Sequence, residues 1–248
     1  MQTLLSNTDW ALVIISTFLI GMGKGGVKGI DMLNVTLMAI VFGSKTSTGI
    51  VLPLLLCADV AAVAYYRRYA DWSLFWKLAP WMMIGVLLGV FLGKDMHELL
   101  FRKIMSGIVL VTIVIVLIME FRKNKEVPNH PAFAIGNGLA AGFTTMIGNL
   151  AGAFANLYFL AMRVNKNVFI GTGAWIFLFM NWFKFPFQLF YWKNINRETL
   201  QIDLYLIPIL LLGFWAGVRF VDKIKDEHYR KLVIVLTILG SLVMLLKS

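Results

Sequence analysis

Two lysines and five glycines form the stretch of this sequence with the clearest chemical potential. The stretch runs from Gly21 to Gly29, contains Lys24 and Lys28, and is flanked by apolar runs. A helix broken here would expose N–H groups and a positive dipole end, and glycine would let a ligand approach the backbone. We predict that Lys24, Gly25 and Gly26 bind an anion. Close helix packing through the small residues is the alternative.

A second glycine-containing stretch offers related chemistry at residues 146–152. Gly148 and Asn149 match Gly25 and Gly26 in the internal repeat described below, and the Asn149 amide could donate to an anion oxygen. Paired short segments that are interrupted by glycine at equivalent positions are typical of the central site of a transporter. We therefore predict that the two stretches face each other across a cavity near mid-membrane.

Lys184 and Trp175 lie on one long apolar segment and complete the predicted anion site. Pro186 weakens the helix beside Lys184, and Lys184 would supply positive charge from the second half of the chain. The alternative is that its long side chain extends to the membrane interface. We predict that Lys184 and Trp175 line the central cavity.

Asp59 is an acidic residue deep within an apolar segment. Its position fits two roles equally well, a proton-coupling group or the counter-ion of Lys24 or Lys28. Asp31 is predicted to cap the helix after the first glycine stretch. Three intramembrane asparagines could hydrogen-bond a substrate or join helices: Asn34, Asn156 and Asn181.

Catalytic and metal-binding patterns are not found in the sequence. The histidines His97, His130 and His228 lie in breaks between apolar segments, without a second ligand at metal-binding spacing. There is no Ser/His/Asp or H-E-x-x-H arrangement, and the glycine stretch lacks the Ser or Thr that follows the lysine of a phosphate loop. The sequence therefore predicts no enzyme activity, no metal and no cofactor.

The composition requires a membrane environment. Hydrophobic residues make up 59% of the 248 residues and charged residues 15%, against roughly half and about a quarter in soluble domains. The mean hydropathy is +0.78. The net charge of +10 comes mostly from breaks between apolar runs, where charge sets membrane topology, so nucleic acid is not an expected partner.

Ten apolar segments are predicted to be helices, because backbone groups in lipid need internal hydrogen-bond partners. The fold class is an all-α polytopic membrane protein with about eight to ten membrane segments, two pairs of them short or broken. The first, second and sixth segments are expected to be short, with about 12 or 13 residues each. The segments lie at about 9–21, 30–42, 46–65, 74–93, 103–120, 131–143, 146–162, 168–191, 202–220 and 229–246.

The chain divides into two similar halves, residues 1–120 and 132–248, joined by a polar linker at 121–131. Residues 79–90 align with 207–218 at an offset of 128, whereas Gly49 aligns with Gly171 at an offset of 122. The larger offset places about five or six extra residues near 177–192. Each half holds an odd number of segments, so the repeat is predicted to be inverted. Basic residues favour an outside location of both termini by roughly two to one.

Short motifs occur in a characteristic order along both halves. The first half contains Gly23-Lys24-Gly25-Gly26, Leu52-Pro53-Leu54-Leu55, Ala58-Asp59-Val60, Tyr65-Tyr66-Arg67-Arg68 and Asp71-Trp72. The second contains Met146-Ile147-Gly148-Asn149, Ala151-Gly152, Phe169-Ile170-Gly171-Thr172, Trp175, Asn181, Lys184 and Pro186. Together these motifs resemble the TauE/SafE family of sulfite and sulfonate permeases over nearly the whole chain.

The resemblance implies a bacterial inner-membrane protein that moves small sulfur-containing anions by a secondary mechanism without ATP, with export as the expected direction. Lysine at a helix break suits sulfonates, which stay negatively charged at neutral pH. One alternative is transport of a small carboxylate, and another is a non-transporting membrane subunit or an enzyme. The expected partners are the anion and the lipid bilayer, and a homodimer is compatible with the sequence.

Overall fold

The computed structural model describes residues 6–121 and 130–246, and these residues contain no β-strand. They form ten α-helices: α1 Asn7–Lys24, α2 Asp31–Phe42, α3 Ser44–Tyr66, α4 Trp72–Gly93, α5 Glu98–Phe121, α6 Pro131–Gly148, α7 Ala151–Ala161, α8 Lys166–Pro186, α9 Arg197–Asp222 and α10 Asp226–Leu246. A 3₁₀ turn, Arg67–Tyr69, follows α3, and a π-helical turn, Phe187–Tyr191, follows α8. The all-helical prediction is confirmed.

Four helical stretches are long and apolar enough to cross a membrane. They are Ser44–Tyr69, Trp72–Gly93, Lys166–Tyr191 and Arg197–Asp222. Large apolar side chains face outward along them, such as Phe91 and Leu204, which are 66% and 67% exposed. Such exposure is unfavourable in water and favourable in lipid, so the chain is an integral membrane protein.

The predicted lengths of the first and sixth segments were wrong. Helices α1 and α6 each have 18 residues, and the short helices are α2 with 12 and α7 with 11. The first break starts later than predicted because Gly21 and Gly23 remain helical within α1. The predicted role of Asp31 as a cap was also wrong, because Asp31 is the first residue inside α2 and its side chain makes no capping hydrogen bond.

Helices α1 and α2 form an antiparallel hairpin. The Ser16 hydroxyl on α1 donates to the carbonyl of Asn34 on α2 at 3.0 Å. These residues are 18 positions apart, a separation that would span about 27 Å in a continuous helix. Helices α6 and α7 also pack against each other across a short break, so each half begins with a helix and a shorter helix that returns along it.

Helices from the two halves pack against each other in a reciprocal way. The first helix of each half packs most extensively against the fourth helix of the other half, α1 on α9 and α6 on α4, while α3 and α8 pack together at the centre. Glycines allow these close approaches: a Cβ atom added at Gly25 would lie 3.0 Å from the backbone nitrogen of Val218. This reciprocal packing agrees with a two-fold relation between the halves. The inversion of one half relative to the other in the membrane stays a prediction.

The helices end in two clusters of loops. The first end contains residues 67–71, 162–165 and 223–225, joined where the Lys166 ammonium donates to the carbonyls of Val221 and Ile224. The second end contains residues 43, 94–97 and 192–196, joined where the Glu98 carboxylate accepts from the Ser44 and Lys45 amides. Residues 122–129, which make up most of the predicted linker, lie outside the described residues.

Candidate functional site

The first helix break, residues 25–30, uses its backbone amides locally. The Gly25 amide donates to the Gly21 carbonyl at 2.8 Å, and the Gly26 amide donates to the Gly23 carbonyl at 3.3 Å. Gly26 has φ +119°, a conformation that favours glycine. Because both amides satisfy the end of α1, they are not available as donors to an anion in this state. Contact of Gly25 and Gly26 with an anion stays a prediction that requires these local hydrogen bonds to open.

The Lys24 side chain forms a buried ion pair with Asp59 of α3. The Lys24 Nζ lies 2.6 Å from Asp59 Oδ1, and the two side chains are 7% and 0% exposed. Asp59 Oδ2 accepts from the Asn181 side-chain amide at 2.5 Å. Asp59 and Asn181 are 122 residues apart, the same offset that relates Gly49 to Gly171. This geometry matches the counter-ion role considered for Asp59.

Lys28 is a second buried lysine near the same centre. It is 2% exposed, and its Nζ donates to the Gly23 carbonyl at 2.9 Å. The Phe177 ring lies close to both lysines, with its centroid 4.7 Å from Lys24 Nζ and 5.4 Å from Lys28 Nζ. Cation–π contacts of this kind stabilise a lysine that has lost its water.

Lys184 is also fully buried, which excludes an extended side chain at the membrane interface. Its Nζ donates to the carbonyl and hydroxyl of Thr145 at 3.0 Å and to Asn149 Oδ1 at 2.5 Å. These acceptors lie at the C-terminal end of α6, where the helix dipole favours positive charge. Asn149 is held in turn, because its side-chain amide donates to the Thr48 carbonyl at 3.1 Å.

A small cavity lies between the two hairpins. Its volume is about 20 Å³, room for roughly one water molecule, so the cavity is too small for a sulfur oxyanion in this conformation. The lining includes the first residues of both short helices, whose N-terminal dipole ends favour negative charge. The lining residues are Lys24, Asp31, Asn34, Leu55, Thr145, Asn149, Ala151, Gly152, Phe177 and Asn181.

An internal carboxylate already lies beside the start of α7. A Cβ atom added at Gly152 would lie 2.7 Å from Asp31 Oδ2, so the missing side chain of Gly152 is what allows Asp31 to approach. The N-terminal end of α7 favours such an anion. Asp31 therefore occupies a position where a bound anion would also be stabilised.

The predicted site residues do not all meet at this cavity. Lys24 and Asn149 line it, whereas Lys184 lies behind the lining and contacts Thr145 and Asn149. Gly148 packs against Met105 and Leu150. Residues at or beside both breaks line one cavity, and the facing of the two glycine stretches near mid-membrane stays a prediction.

Trp175 lies away from the cavity. It packs against Trp72 with ring centroids 5.3 Å apart. Positions two residues apart on a helix point about 200° away from each other, so Trp175 cannot share a face with Phe177. The side chains of Phe177, Asn181 and Lys184, spaced at i, i+4 and i+7, form the face of α8 that is directed to the centre.

A larger vestibule opens at the first end. Its volume is about 700 Å³, enough for a small molecule with its hydration water. Two of its basic side chains donate hydrogen bonds to carbonyls at helix ends. The Lys166 ammonium donates to the Val221 carbonyl of α9, and the Arg230 guanidinium donates to the Leu160 carbonyl of α7 at 2.7 Å. The lining residues are Phe159, Leu160, Arg163, Val164, Asn165, Lys166, Phe169, Asp226, Glu227, Tyr229 and Arg230.

Aromatic side chains separate this vestibule from the first break. The Phe159 and Phe169 rings lie 5.1 Å apart, and the Phe169 and Tyr229 rings lie 5.8 Å apart. The Tyr229 hydroxyl donates to the Gly26 carbonyl at 2.8 Å. Tyr229 therefore lines the vestibule on one side and contacts the first break on the other. Lys24 comes just before this break, and Lys28 lies within it.

Sequence reasoning missed three residues of this centre as members of the site. Lys28 was considered only as a partner for Asp59, and neither Thr145 nor Phe177 was considered. The spacing of Phe177 to Asn181 and Lys184 was the signal that could have identified Phe177. Within residues 6–121 and 130–246, no group of three or more metal-ligating side chains is brought together.

Comparison with known proteins gives one match. The family model described as sulfite exporter TauE/SafE matches residues 12–244. No curated protein and no solved structure matches the chain.

Proposed function

This chain belongs to the sulfite exporter TauE/SafE family, and from that premise we propose that it is a secondary transporter that exports a small sulfur-containing anion. Sulfite and organosulfonates are the proposed substrates. The proposed binding site is the small cavity between the two hairpins. Lys24 and Asn149 would contact the anion. Lys184 would hold the Asn149 side chain in position through its hydrogen bond to Asn149 Oδ1.

The observation that carries this proposal is the charge of the centre. Three buried lysines, Lys24, Lys28 and Lys184, and two carboxylates, Asp31 and Asp59, either line the cavity or contact a residue that lines it. With all five groups ionised, one positive charge is left over inside the membrane, where uncompensated charge is costly. A bound monovalent anion would neutralise it, and this compensation favours anion transport over a passive role.

The cavity must enlarge before it accepts an anion. Its volume of about 20 Å³ suits a single water molecule, and a sulfonate group has four heavy atoms. An incoming anion would compete with Asp59 for Lys24 and with Asp31 for the start of α7. This competition would link binding to separation of the two hairpins.

The vestibule at the first end is the proposed entrance from the cytoplasm. Loops at this end carry several basic residues, a distribution that favours a cytoplasmic location, and that orientation places both termini outside. Anions would collect in the vestibule and pass Tyr229 to reach Lys28 and Lys24. Basic residues at or beside the loops of this end include Arg67, Arg68, Arg163, Lys166, Lys223 and Lys225.

Transport of a small carboxylate uses the same charges and is tested as a competing substrate. The family is a transporter family, and this supports transport over an enzyme or a non-transporting subunit.

Sulfite counterflow into proteoliposomes tests the proposal. The wild-type protein should exchange external radiolabelled sulfite for internal sulfite, and excess methanesulfonate should compete while acetate should not. A wild-type protein that moves neither sulfite nor methanesulfonate refutes the proposal, and equal competition by acetate favours the carboxylate alternative.

Lys28→Met and Lys231→Met form a matched pair for this assay. Lys28 is buried at the centre, whereas Lys231 is exposed on α10. We expect at least a tenfold loss of counterflow in Lys28→Met and a rate close to wild type in Lys231→Met. Equal rates in the two variants would contradict the assignment of the centre as the anion site.

A further inference from the structure

Asp203 on α9 is a buried carboxyl group that lies apart from the anion centre. It is 4% exposed, and neither carboxylate oxygen has a hydrogen-bond partner among the residues that the structure describes. Its helix neighbours Ile202 and Leu206 belong to an apolar cluster formed with α1, α2 and α3. Asp203 is six residues from the start of α9, or about 9 Å along the helix.

The surroundings of Asp203 contrast with those of Asp59. Asp59 is balanced by Lys24 and Asn181, so its negative charge is compensated. An ionised Asp203 would be buried without a hydrogen-bond donor among the residues that the structure describes, and burial of such a charge is strongly unfavourable. A carboxylic acid that keeps its proton avoids this cost.

Few ionisable groups face Asp203 from the packed helices. The thiol of Cys57, on α3, is close enough to interact with it electrostatically. The α1 side chains that pack against this part of α9, Trp10 and Val13, are apolar. Arg197 and Glu198 lie on α9 itself, at the second end.

We propose that Asp203 is a proton-binding site within the membrane and that its proton is exchanged during anion transport. The coupling role rests on the proposed function, whereas proton binding does not. Helix α9 packs directly on α1, where the backbone of Gly25 approaches Val218. Movement of α9 that exposes Asp203 to water would therefore also move the helix that carries Lys24. On release, the acid loses its proton to water and becomes a carboxylate.

Infrared spectroscopy of the reconstituted protein at pH 7 tests proton binding directly. The wild-type protein should show the C=O stretching band of a protonated carboxylic acid, and Asp203→Asn should lose it. Asp203→Leu should lose the same band. The leucine side chain has no polar atom, so this variant suits the apolar surroundings if Asp203→Asn does not fold. Asp59→Asn is the matched control and should keep the band. An identical band in wild type and both Asp203 variants overturns the proposal.

Proton movement per transported anion tests the coupling role. Proteoliposomes that contain a pH-sensitive dye are given a gradient of sulfite or methanesulfonate, and proton and anion fluxes are measured together. We expect at least a tenfold lower ratio of protons to anions in Asp203→Asn than in wild type. An unchanged ratio overturns the coupling role. If the wild type moves neither anion, the proposed function fails, and the infrared result still decides whether Asp203 binds a proton.

Discussion

Removal of Lys24 without its partner should destabilise the protein far more than removal of the pair. In Lys24→Met, the Asp59 carboxylate would stay buried with only the Asn181 amide as a partner. Breaking a buried ion pair in this way costs about 3–5 kcal/mol, a large part of a typical stability of about 5–15 kcal/mol. In Lys24→Met/Asp59→Asn the uncompensated charge is gone, so we expect a loss of about 1 kcal/mol or less.

The free energy of unfolding, measured in mixed detergent micelles, checks this prediction for wild type, both single variants and the double variant. A double variant as unstable as Lys24→Met would refute the assignment of the ion pair as the source of the cost. Aggregation of Lys24→Met alone would not affect the comparison of the double variant with wild type.

The same double variant separates contact from charge in anion binding. It removes one positive and one negative charge, so the net charge of the centre is unchanged. Because Lys24 is proposed to contact the anion, we still expect binding to weaken by about 2–3 kcal/mol, roughly a hundredfold. Asp59→Asn alone should retain binding, since Lys24 is then free for the anion. Wild-type affinity in the double variant would refute direct contact by Lys24.

Expected outcomes for four further variants follow from the geometry. Gly25→Ala should lower thermal stability in detergent, because the new Cβ would press on the α9 backbone at Val218. Gly136→Ala, where a Cβ meets no atom within 4 Å, should be neutral or stabilising by up to about 1 kcal/mol. Lys184→Met should reduce the free energy of unfolding by about 1–3 kcal/mol, because Thr145 and Asn149 lose a buried donor; an unchanged value would show that these acceptors find other partners. Trp175→Phe should leave sulfite affinity unchanged in a binding assay. A tenfold loss of affinity would show that Trp175 contributes to the anion site.

Helix positions were predictable from the sequence because apolar runs in a membrane have few alternatives to a helix. The ten segments correspond to ten helices with ends that differ by a few residues. The breaks were less predictable. Gly21 and Gly23 looked like the start of the first break, whereas they remain helical and Gly21 packs against α9. A sequence shows that a glycine is present and does not show which helix it contacts.

The side-chain partners at the centre were only partly predictable. Burial cost indicated that Lys24 and Asp59 needed partners, and their pairing was one of two stated roles. The position of Trp175 was predictable in principle from helical spacing relative to Lys184 and was missed. Asp203 was missed because its significance depends on the absence of hydrogen-bond donors around it among the described residues, which is a property of packing.

The hydrogen bond between Asp59 and Asn181 also shows how the two predicted halves of the chain contribute to one site. Two aspartates at these matched positions would repel each other, and two asparagines would leave Lys24 without a carboxylate. Only an unlike pair satisfies both the lysine and the contact between the halves. The acid at residue 59 and the amide at residue 181 therefore have different roles in the centre, one as the counter-ion of Lys24 and the other as a hydrogen-bond donor.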